Sequence, residues 1–382
     1  MDNLSAVRPI LADLIAFKTV SSTNNLDLIE YLEGIFKPAG FSTLRIYGPE
    51  SKTRANLLCQ IGPETAGGLM LSGHTDVVPT AGQNWHSDPF CLKEEGDRFI
   101  GRGTADMKSF IAATCLAVKK VDLRRLKRPL SLLWTYDEEI GALGSRVAAN
   151  ELSSHFKYLP EAAIVGEPTS FNVYCKHAGH VTLNLSVRGK GAHSSDPSLG
   201  ISAIKALVQV LQGIYELEDQ LKQETIDDPH FLRPFVTINV GQVEGGSAVN
   251  IVPDRAKAVV GFRPLPGTDI KEILKRIHEV IKTHCHTPGA CFELSEPQIL
   301  PAMLTRTDTR LSRILLPLAK TSDQGAAQFG TDAGNLNEIG IESLIFGPGS
   351  IDVAHQANEW ILKSDVDQAV QKISRVIADY LF

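Results

Sequence analysis

His74 and Asp76, in the segment "LSGHTDVVP", lie two positions apart and directly follow an apolar run. Residues i and i+2 of a β-strand point to the same face, so the two side chains can share a partner at the end of a buried strand. One interpretation is a surface turn with a solvated aspartate. The other is a metal site in which the histidine is a ligand and the carboxylate orients its second ring nitrogen.

Other residues that could bind a metal also follow apolar runs. Glu138 and Glu139 come after "LSLLWTY", and Glu167 comes after "EAAIVG". His355 lies a short loop beyond "SLIFGPGS", and Asp106, in "GRGTADMKS", precedes a predicted helix. Taken singly, each has a plainer explanation: a helix cap for the aspartate, a solvated turn for the adjacent glutamates and a loop position for the others.

The segments before these residues predict the sheet that positions them. Four segments are short, apolar and bounded by turns, which is typical of buried parallel strands: "NLLCQIG", "GLMLSGH", "LSLLWTYDE" and "EAAIVGE". Predicted helices over 107–121 and 141–152 alternate with them, which indicates an α/β sandwich. In open α/β sheets, binding sites gather beyond the carboxyl ends of the strands, so we expect the candidate residues to converge there.

The candidate residues suit a two-metal site. Two histidines and three carboxylates can hold two divalent ions if one carboxylate bridges them, and such ligands suit Zn²⁺, with Co²⁺ or Mn²⁺ as substitutes. Of the adjacent glutamates, one can ligate while its neighbour stays free as a base. We expect the carboxylate of Asp76 to accept the other ring N–H of His74 and so to fix its tautomer.

A second kind of pattern occupies the middle of the chain. From about residue 179, the pattern predicts a strand, a long helix, two further strands, a second helix and a last strand, and the first three of these strands alternate apolar and polar residues. Val181, Leu183, Leu185 and Val187 share one face of the first strand. The order β-α-β-β-α-β is the ferredoxin-like pattern. We therefore predict a catalytic domain formed by 1–178 and 295–382, interrupted by an inserted α+β domain over 179–294.

Length and composition limit the function classes. A chain of 382 residues favours two domains, and the net charge of −6 argues against nucleic acid or an anionic membrane as a partner. No apolar run approaches the ~20 residues that a membrane span requires. Six cysteines without a C-x-x-C pair predict reduced, mostly buried thiols. The N-terminus predicts an amphipathic helix, and its Asp2 and Asp13 argue against a signal peptide, so a cytoplasmic location is expected.

Six motifs, in order along nearly the whole chain, resemble the co-catalytic dizinc amidohydrolase and aminoacylase family: "GHTDVVP", "GRGTADMK", "DEEIGALGS", "GEPT", "GKGAHSS" and "GPGSIDVAH". The resemblance implies a zinc-exopeptidase-like α/β sandwich with an inserted ferredoxin-like dimerisation domain. It also implies two zinc ions per subunit, a homodimer, and hydrolysis of the amide bond of a small N-acyl amino acid.

The resemblance also implies a role for each matching residue. By position, the first zinc would be bound by His74 and Glu167, the second by Glu139 and His355, and the bridge would be Asp106. The catalytic residues would be Glu138 as general base, Asp76 behind the first histidine, and His193 of "GKGAHSS" as oxyanion stabiliser. The substrate-binding residues would be Asn250, Arg263 and Gly347.

An inactive metal-binding relative that serves as a scaffold is the alternative from another class. Glu138 discriminates between the two, because a scaffold has no need of a general base beside a complete set of ligand candidates. The acyl group and the amino-acid side chain of the substrate stay open at this level.

Overall fold

The computed structural model describes residues 2–49 and 52–382. The chain divides into two compact units, the first formed by Met1–His177 with Met303–Phe382 and the second by Ala178–Ala302. The second unit thus contains 295–302 as well as the residues predicted for the inserted domain.

The α-helices are α1 Asn3–Ala16, α2 Leu26–Phe36, α3 Lys108–Lys120, α4 Leu143–His155, α5 Ala203–Leu221, α6 Ile270–His284, α7 Arg310–Leu315, α8 Ala333–Glu338 and α9 Lys363–Leu381. The β-strands are β1 Ser42–Tyr47, β2 Ala55–Ile61, β3 Leu69–His74, β4 Lys93–Glu95, β5 Arg98–Ile100, β6 Leu130–Thr135, β7 Ala162–Val165, β8 Val173–His177, β9 His180–Arg188, β10 Thr237–Gly245, β11 Arg255–Arg263, β12 Cys291–Leu294, β13 Gln298–Leu300, β14 Met303–Leu304, β15 Gln324–Ala327, β16 Glu342–Ile345 and β17 Trp360–Leu362.

The main sheet of the first unit has the order β1-β2-β6-β3-β7-β16-β8-β14, with β15 paired to β8. Its adjacent strands β6, β3, β7 and β16 are mutually parallel, so their carboxyl ends share one edge. The prediction that "NLLCQIG" is a parallel strand is wrong, because β2 is antiparallel to both β1 and β6. A short apolar run indicates that a strand is buried on both faces, but it does not indicate the direction of the strand. β2 follows its neighbour β1 in the chain after a connection too short for a crossover helix, so the two strands are antiparallel.

Both faces of the main sheet are covered, which explains why its strands are apolar throughout. One face packs in a core with α1, α2, α3 and α9, and the other packs with α4 and α8. The predicted N-terminal helix is confirmed, and its apolar residues Val7, Ile10, Leu11, Leu14 and Ile15 are buried. Asp2 caps this helix by accepting the N–H of Ser5.

The second unit has the predicted ferredoxin-like topology. Its sheet has the order β10-β11-β9-β12, with antiparallel neighbours, and shares a core with α5 and α6. The predicted face of β9 is confirmed, since Val181, Leu183, Leu185 and Val187 are buried. β13 pairs with the start of β9, which brings 295–302 into this unit.

None of the six cysteines, all of which lie in the described part of the chain, forms a disulfide. Cys59, Cys115 and Cys175 are buried, whereas Cys91 and Cys291 are exposed, so burial is less general than the composition suggested. Among the described helices, none is both long and apolar enough to cross a membrane.

Gly166, between β7 and Glu167, provides a test of this packing. A Cβ at this position would overlap the ring of Phe110, which is buried in α3. We predict that Gly166→Ala lowers the free energy of unfolding by about 1–3 kcal/mol, because the ring has to move within a packed core. Urea unfolding followed by circular dichroism measures the change.

Gly34→Ala is the matched control. Gly34 is an exposed residue of α2, and apart from its chain neighbours and the backbone of its own helix turn, no atom of the described residues lies within 4 Å of the added Cβ. Its stability should stay the same or rise by up to about 1 kcal/mol. Equal unfolding curves for the two variants would contradict the packing described around Gly166.

Candidate metal centre

Four of the predicted ligands meet around the carboxylate of Asp106. Its Oδ1 lies 2.9 Å from Nε2 of His74, and its Oδ2 lies 3.3 Å from Nε2 of His355. Nε2 of His355 is also 2.9 Å from Oε2 of Glu139. Glu167 completes the His74 side, with Oε2 4.0 Å from Nε2 of that histidine. The two oxygens of Asp106 thus face two different histidines, each of which has a further glutamate beside it.

Asp106 is not a helix cap, which was its plainer explanation. α3 begins at Lys108, its N-terminal cap position is Met107, and the described residues show no side-chain capping hydrogen bond at that position. The side chain of Asp106 is 6% exposed and is directed to the histidines instead.

The spacing of these atoms fits divalent metal ions. Two ligand atoms at about 2 Å from one tetrahedral zinc lie about 3.3 Å apart, and the distances above run from 2.9 to 4.0 Å. Oε1 of Glu167 is buried and has no hydrogen-bond partner among the described residues, as expected of an atom with another kind of partner. His74, Asp106 and Glu139 offer ligand atoms that lie within 4.8 Å of one another. Nitrogen and carboxylate donors suit Zn²⁺, Co²⁺ or Mn²⁺.

Negative charge is concentrated in this site. Burial, followed by the charge of Asp106, raises the pKa of both Glu139 and Glu167, that of Glu167 well above its usual range. Burial, followed by the charge of Glu167, raises the pKa of Glu138 well above its usual range. Hydrogen bonds to Asp106 and Glu139 raise the pKa of His355 to about 10. Burial and the mutual repulsion of the carboxylates thus both disfavour negative charge on the glutamates, and the same carboxylates favour positive charge on His355.

Asp76 does not orient His74 through its carboxylate, so that prediction is wrong. Nδ1 of His74 lies 2.8 Å from the main-chain oxygen of Asp76, and its carboxylate Oδ1 is 3.7 Å away. β3 ends at His74, so the alternation that places residues i and i+2 on one face no longer applies. A carbonyl only accepts, so Nδ1 carries a proton and Nε2 is left for a metal.

The carboxylate of Asp76 instead holds the loop after β6. Its Oδ1 accepts the N–H of Glu138 at 3.0 Å, and its Oδ2 accepts the N–H of Glu139 at 3.3 Å. Oδ2 also accepts the hydroxyl of Ser21 at 2.7 Å. Asp76 is 2% exposed and His74 is 1% exposed, which excludes the surface turn.

The two adjacent glutamates differ in their contacts. Glu139 contacts His355, as described above. The carboxylate of Glu138 has no hydrogen bond or ion pair within 2–49 and 52–382, although its main chain is held by Asp76. Glu138 is therefore the one whose carboxylate is available to a reacting group.

Three predicted residues lie in the second unit, on its exposed surface. His193 lies in a glycine-rich turn, with Nδ1 2.8 Å from the hydroxyl of Ser195. The carbonyl of Asn250 accepts the N–H of Ser194, so that turn and the segment of Asn250 are neighbours. Arg263 is the last residue of β11. Their contacts with a substrate stay predictions.

Gly347 has a packing explanation. It is buried, its N–H donates to the hydroxyl of Thr169 at 3.1 Å, and a Cβ would collide with the carbonyl oxygens of Gly166 and Glu167. Only glycine permits this approach of two main chains. Its predicted contact with substrate stays a prediction.

Two buried carboxylates near the site were missed at the sequence level. Glu359 accepts the N–H of Asp106 at 3.0 Å, and Asp332 accepts the hydroxyl of Thr135 at 2.5 Å. Burial raises the pKa of both. The signal for Asp332 was available, because "FGTD" is again a carboxylate a few residues beyond a strand, β15.

Comparison with known proteins identifies the family. The family model described as peptidase family M20/M25/M40 matches residues 70–379. The chain is 34% identical over 374 residues, 96% of each chain, to a protein named acetylornithine deacetylase from Vibrio campbellii. Its fold is similar to that of an M20 family metallo-carboxypeptidase from Sulfolobus solfataricus, with a TM-score of 0.77, 19% identity, and coverage of 100% of this chain and 99% of that one. It is also similar to a dinuclear metal-binding M20 peptidase from Bacillus subtilis, with a TM-score of 0.68, 15% identity, and coverage of 99% and 100%.

The chain belongs to peptidase family M20/M25/M40. It is a metal-dependent amidohydrolase, with a group of residues able to hold a metal ion at the carboxyl edge of its main sheet.

The different contacts of Glu138 and Glu139 predict that replacement by glutamine affects kcat at one position and metal content at the other. Glu138→Gln should leave the metal content intact and lower kcat by about 10²–10⁴-fold, because a positioned acid–base group is lost. Glu139→Gln should lower the metal content, because a carboxylate that faces His355 becomes a neutral amide. Plasma emission spectrometry and initial rates measure the two quantities. If Glu138→Gln lost metal and Glu139→Gln kept it, the two roles would be exchanged.

Proposed function

We propose that this protein hydrolyses N2-acetyl-L-ornithine to L-ornithine and acetate, a step that supplies arginine biosynthesis. The observation that carries the proposal is the 34% identity, over 96% of both chains, to a protein named acetylornithine deacetylase. The motifs "FGTDAGNLNEIG" and "FGPGSIDVAHQANEW" also resemble such deacetylases most. A succinyl-diaminopimelate desuccinylase and a general aminoacylase or dipeptidase are the alternatives.

The proposed enzyme binds two Zn²⁺ ions, for which Co²⁺ can substitute. His74 and Glu167 would hold the first, Glu139 and His355 would hold the second, and Asp106 would serve both. The proposal is supported by Asp106, because its two oxygens face different histidines at 2.9 and 3.3 Å. A carboxylate placed in this way has one oxygen for each of two ions.

The proposed reaction replaces the amide C–N bond with a C–O bond from water. The bound ions supply Lewis-acid activation of the water and of the amide carbonyl. Glu138 accepts a proton from the attacking water and delivers it to the nitrogen of the departing amine. Its carboxylate suits this role because the main-chain hydrogen bond to Asp76 fixes its position while its oxygens stay free of partners in the described chain.

In this proposal, three residues of the second unit and the main chain at Gly347 of the first unit recognise the substrate. His193 donates a hydrogen bond to the carbonyl oxygen as negative charge develops on it. Arg263, with Asn250 and the main chain at Gly347, holds the α-carboxylate, since a guanidinium can form two parallel hydrogen bonds with a carboxylate. His193 is exposed, and within the described ranges only its Nδ1 has a partner, Ser195, which supports a role for its other nitrogen.

We also propose a cytoplasmic homodimer formed through the second unit. Ile204, Val208 and Tyr215 lie on one face of α5 and are 39%, 59% and 50% exposed. β10, at the edge of the sheet, has an exposed apolar residue in Val243. An apolar helix face beside a free strand edge is a surface that a second copy of the chain can cover.

A side-by-side assay tests the substrate. The metal-loaded enzyme should hydrolyse acetylornithine with a kcat/KM at least about tenfold above that for succinyl-diaminopimelate and for acetylmethionine. The reason is that a pocket whose polar groups pair with one acyl group and one side chain leaves those groups unpaired when a different substrate is bound. Acetate and free amine are quantified under the same conditions. A higher value for the succinyl substrate would assign the protein to the desuccinylases.

Mixing two inactive variants tests whether His193 acts on the partner subunit. His193→Ala and Glu138→Gln are combined and allowed to exchange subunits. If His193 acts across the dimer, each mixed dimer has one site that lacks both groups and one that has both. Activity should then rise towards about a quarter of wild type, since random exchange makes half of the dimers mixed.

The control is exchange between two copies of the same variant, which should restore nothing. Native mass spectrometry with one isotope-labelled variant shows independently that mixed dimers form. Absence of recovery in mixtures that contain them would mean that His193 acts within its own chain or has no catalytic role.

A further inference from the structure

His355 is the most exposed of the five ligand candidates. Its side chain is 50% exposed, whereas those of His74, Asp106, Glu139 and Glu167 are 1–6% exposed. It also has a left-handed backbone conformation, with φ of 63°. A ligand on an exposed loop loses conformational entropy when it binds a metal unless other contacts already fix it.

The side-chain amide of Gln83 provides such a contact. Its Nε2 donates to the main-chain oxygen of His355 at 2.9 Å. Its Oε1 accepts from Nη2 of Arg102 at 2.7 Å and from Nε1 of Trp85 at 3.1 Å. Arginine and tryptophan only donate and a carbonyl only accepts, so the orientation of the amide is determined by its neighbours.

Arg102 connects this amide to the loop of the bridging aspartate. Arg102 and Glu359 form a buried ion pair at 2.6 Å, and both side chains are 1% exposed. Glu359 in turn accepts the N–H of Ala105 at 2.8 Å and that of Asp106 at 3.0 Å. Glu359 immediately precedes β17, which pairs with β5, so its own main chain is anchored in a sheet. A continuous chain of hydrogen bonds therefore runs from the main chain of His355 to that of Asp106.

We infer that Gln83 is a positioning residue for the second metal, because its amide fixes the loop of His355 relative to that of Asp106. It touches neither metal nor substrate. The inference rests on the proposed function only in that two metals are bound, one of them by Asp106, Glu139 and His355. Gln83 is partly exposed, so it can be replaced without opening a core.

Two variants of Gln83 distinguish the role of its side-chain N–H donor from that of its side-chain oxygen. Gln83→Met removes both hydrogen-bonding ends at similar length. Gln83→Glu keeps an oxygen for Arg102 and Trp85 but places a second acceptor, in place of a donor, beside the carbonyl of His355. Asn84→Ala is the matched control, because Asn84 is the next residue, is exposed, and has no side-chain hydrogen bond within 2–49 and 52–382.

The measurement is a stepwise Zn²⁺ titration of the metal-free protein by calorimetry, with a competing chelator. Both Gln83 variants should bind one of the two ions, the one held by His355, about 10–100-fold less well than wild type. A loss of this size is usual when a group that orients a ligand is removed. The affinity of the other ion, the thermal unfolding of the metal-free protein, and both affinities of Asn84→Ala should match wild type.

Wild-type affinities for both ions in Gln83→Glu and Gln83→Met would overturn the inference. An equal loss at both ions, accompanied by a lower unfolding temperature, would also overturn it, because it would show a general structural role. A wild-type protein that binds fewer than two ions would instead overturn the proposed two-metal function on which the inference rests.

Discussion

The crowding of carboxylates at the carboxyl edge of the main sheet is the constraint on which the site depends. Asp106, Glu139 and Glu167 are nearly buried, and carboxylates in such surroundings are costly unless a proton or another cation compensates them. The imidazoles of His74 and His355 face these oxygens and have raised pKa values for that reason. In the metal-free protein, protons on the histidines compensate the negative charge of these carboxylates. Divalent ions can compensate the same charge in their place.

Two other buried carboxylates keep this arrangement in place. Asp76 accepts the main-chain N–H groups of Glu138 and Glu139, and Glu359 accepts those of Ala105 and Asp106. Hydrogen bonds to a charged acceptor are strong in surroundings of low polarity. The loops that present the ligands are therefore held by their main chains, so their side chains do not have to find the correct position by themselves.

The second unit has a core of its own, formed between its sheet and the helices α5 and α6. That core contains none of the residues of the charged cluster in the first unit. The residues proposed for substrate recognition, His193, Asn250 and Arg263, are exposed on turns and at a strand end. Residues in such positions contribute little to either core, so their proposed contacts with substrate can be tested by substitution without loss of the fold.

The sequence by itself determined the elements and the candidate ligands. Apolar runs and helical spacing depend on neighbouring residues, so the strands before His74, Glu138 and Glu167 and the inserted ferredoxin-like unit follow from local pattern. The rule that sites form at the carboxyl ends of parallel strands then brings distant residues to one edge. The ordered motifs identified the family, because they combine residue type with position along the whole chain.

Only the tertiary structure decided which groups meet there. The acceptor for His74 is a main-chain carbonyl, a detail set by where β3 ends, and the strand direction of β2 depends on its partners in the sheet. Gln83 and His355 are 272 positions apart, and neither local pattern nor composition indicates their hydrogen bond. Buried polar groups must each find a partner, but the choice among many possible partners is made by the packing of the whole first unit, which no short segment encodes.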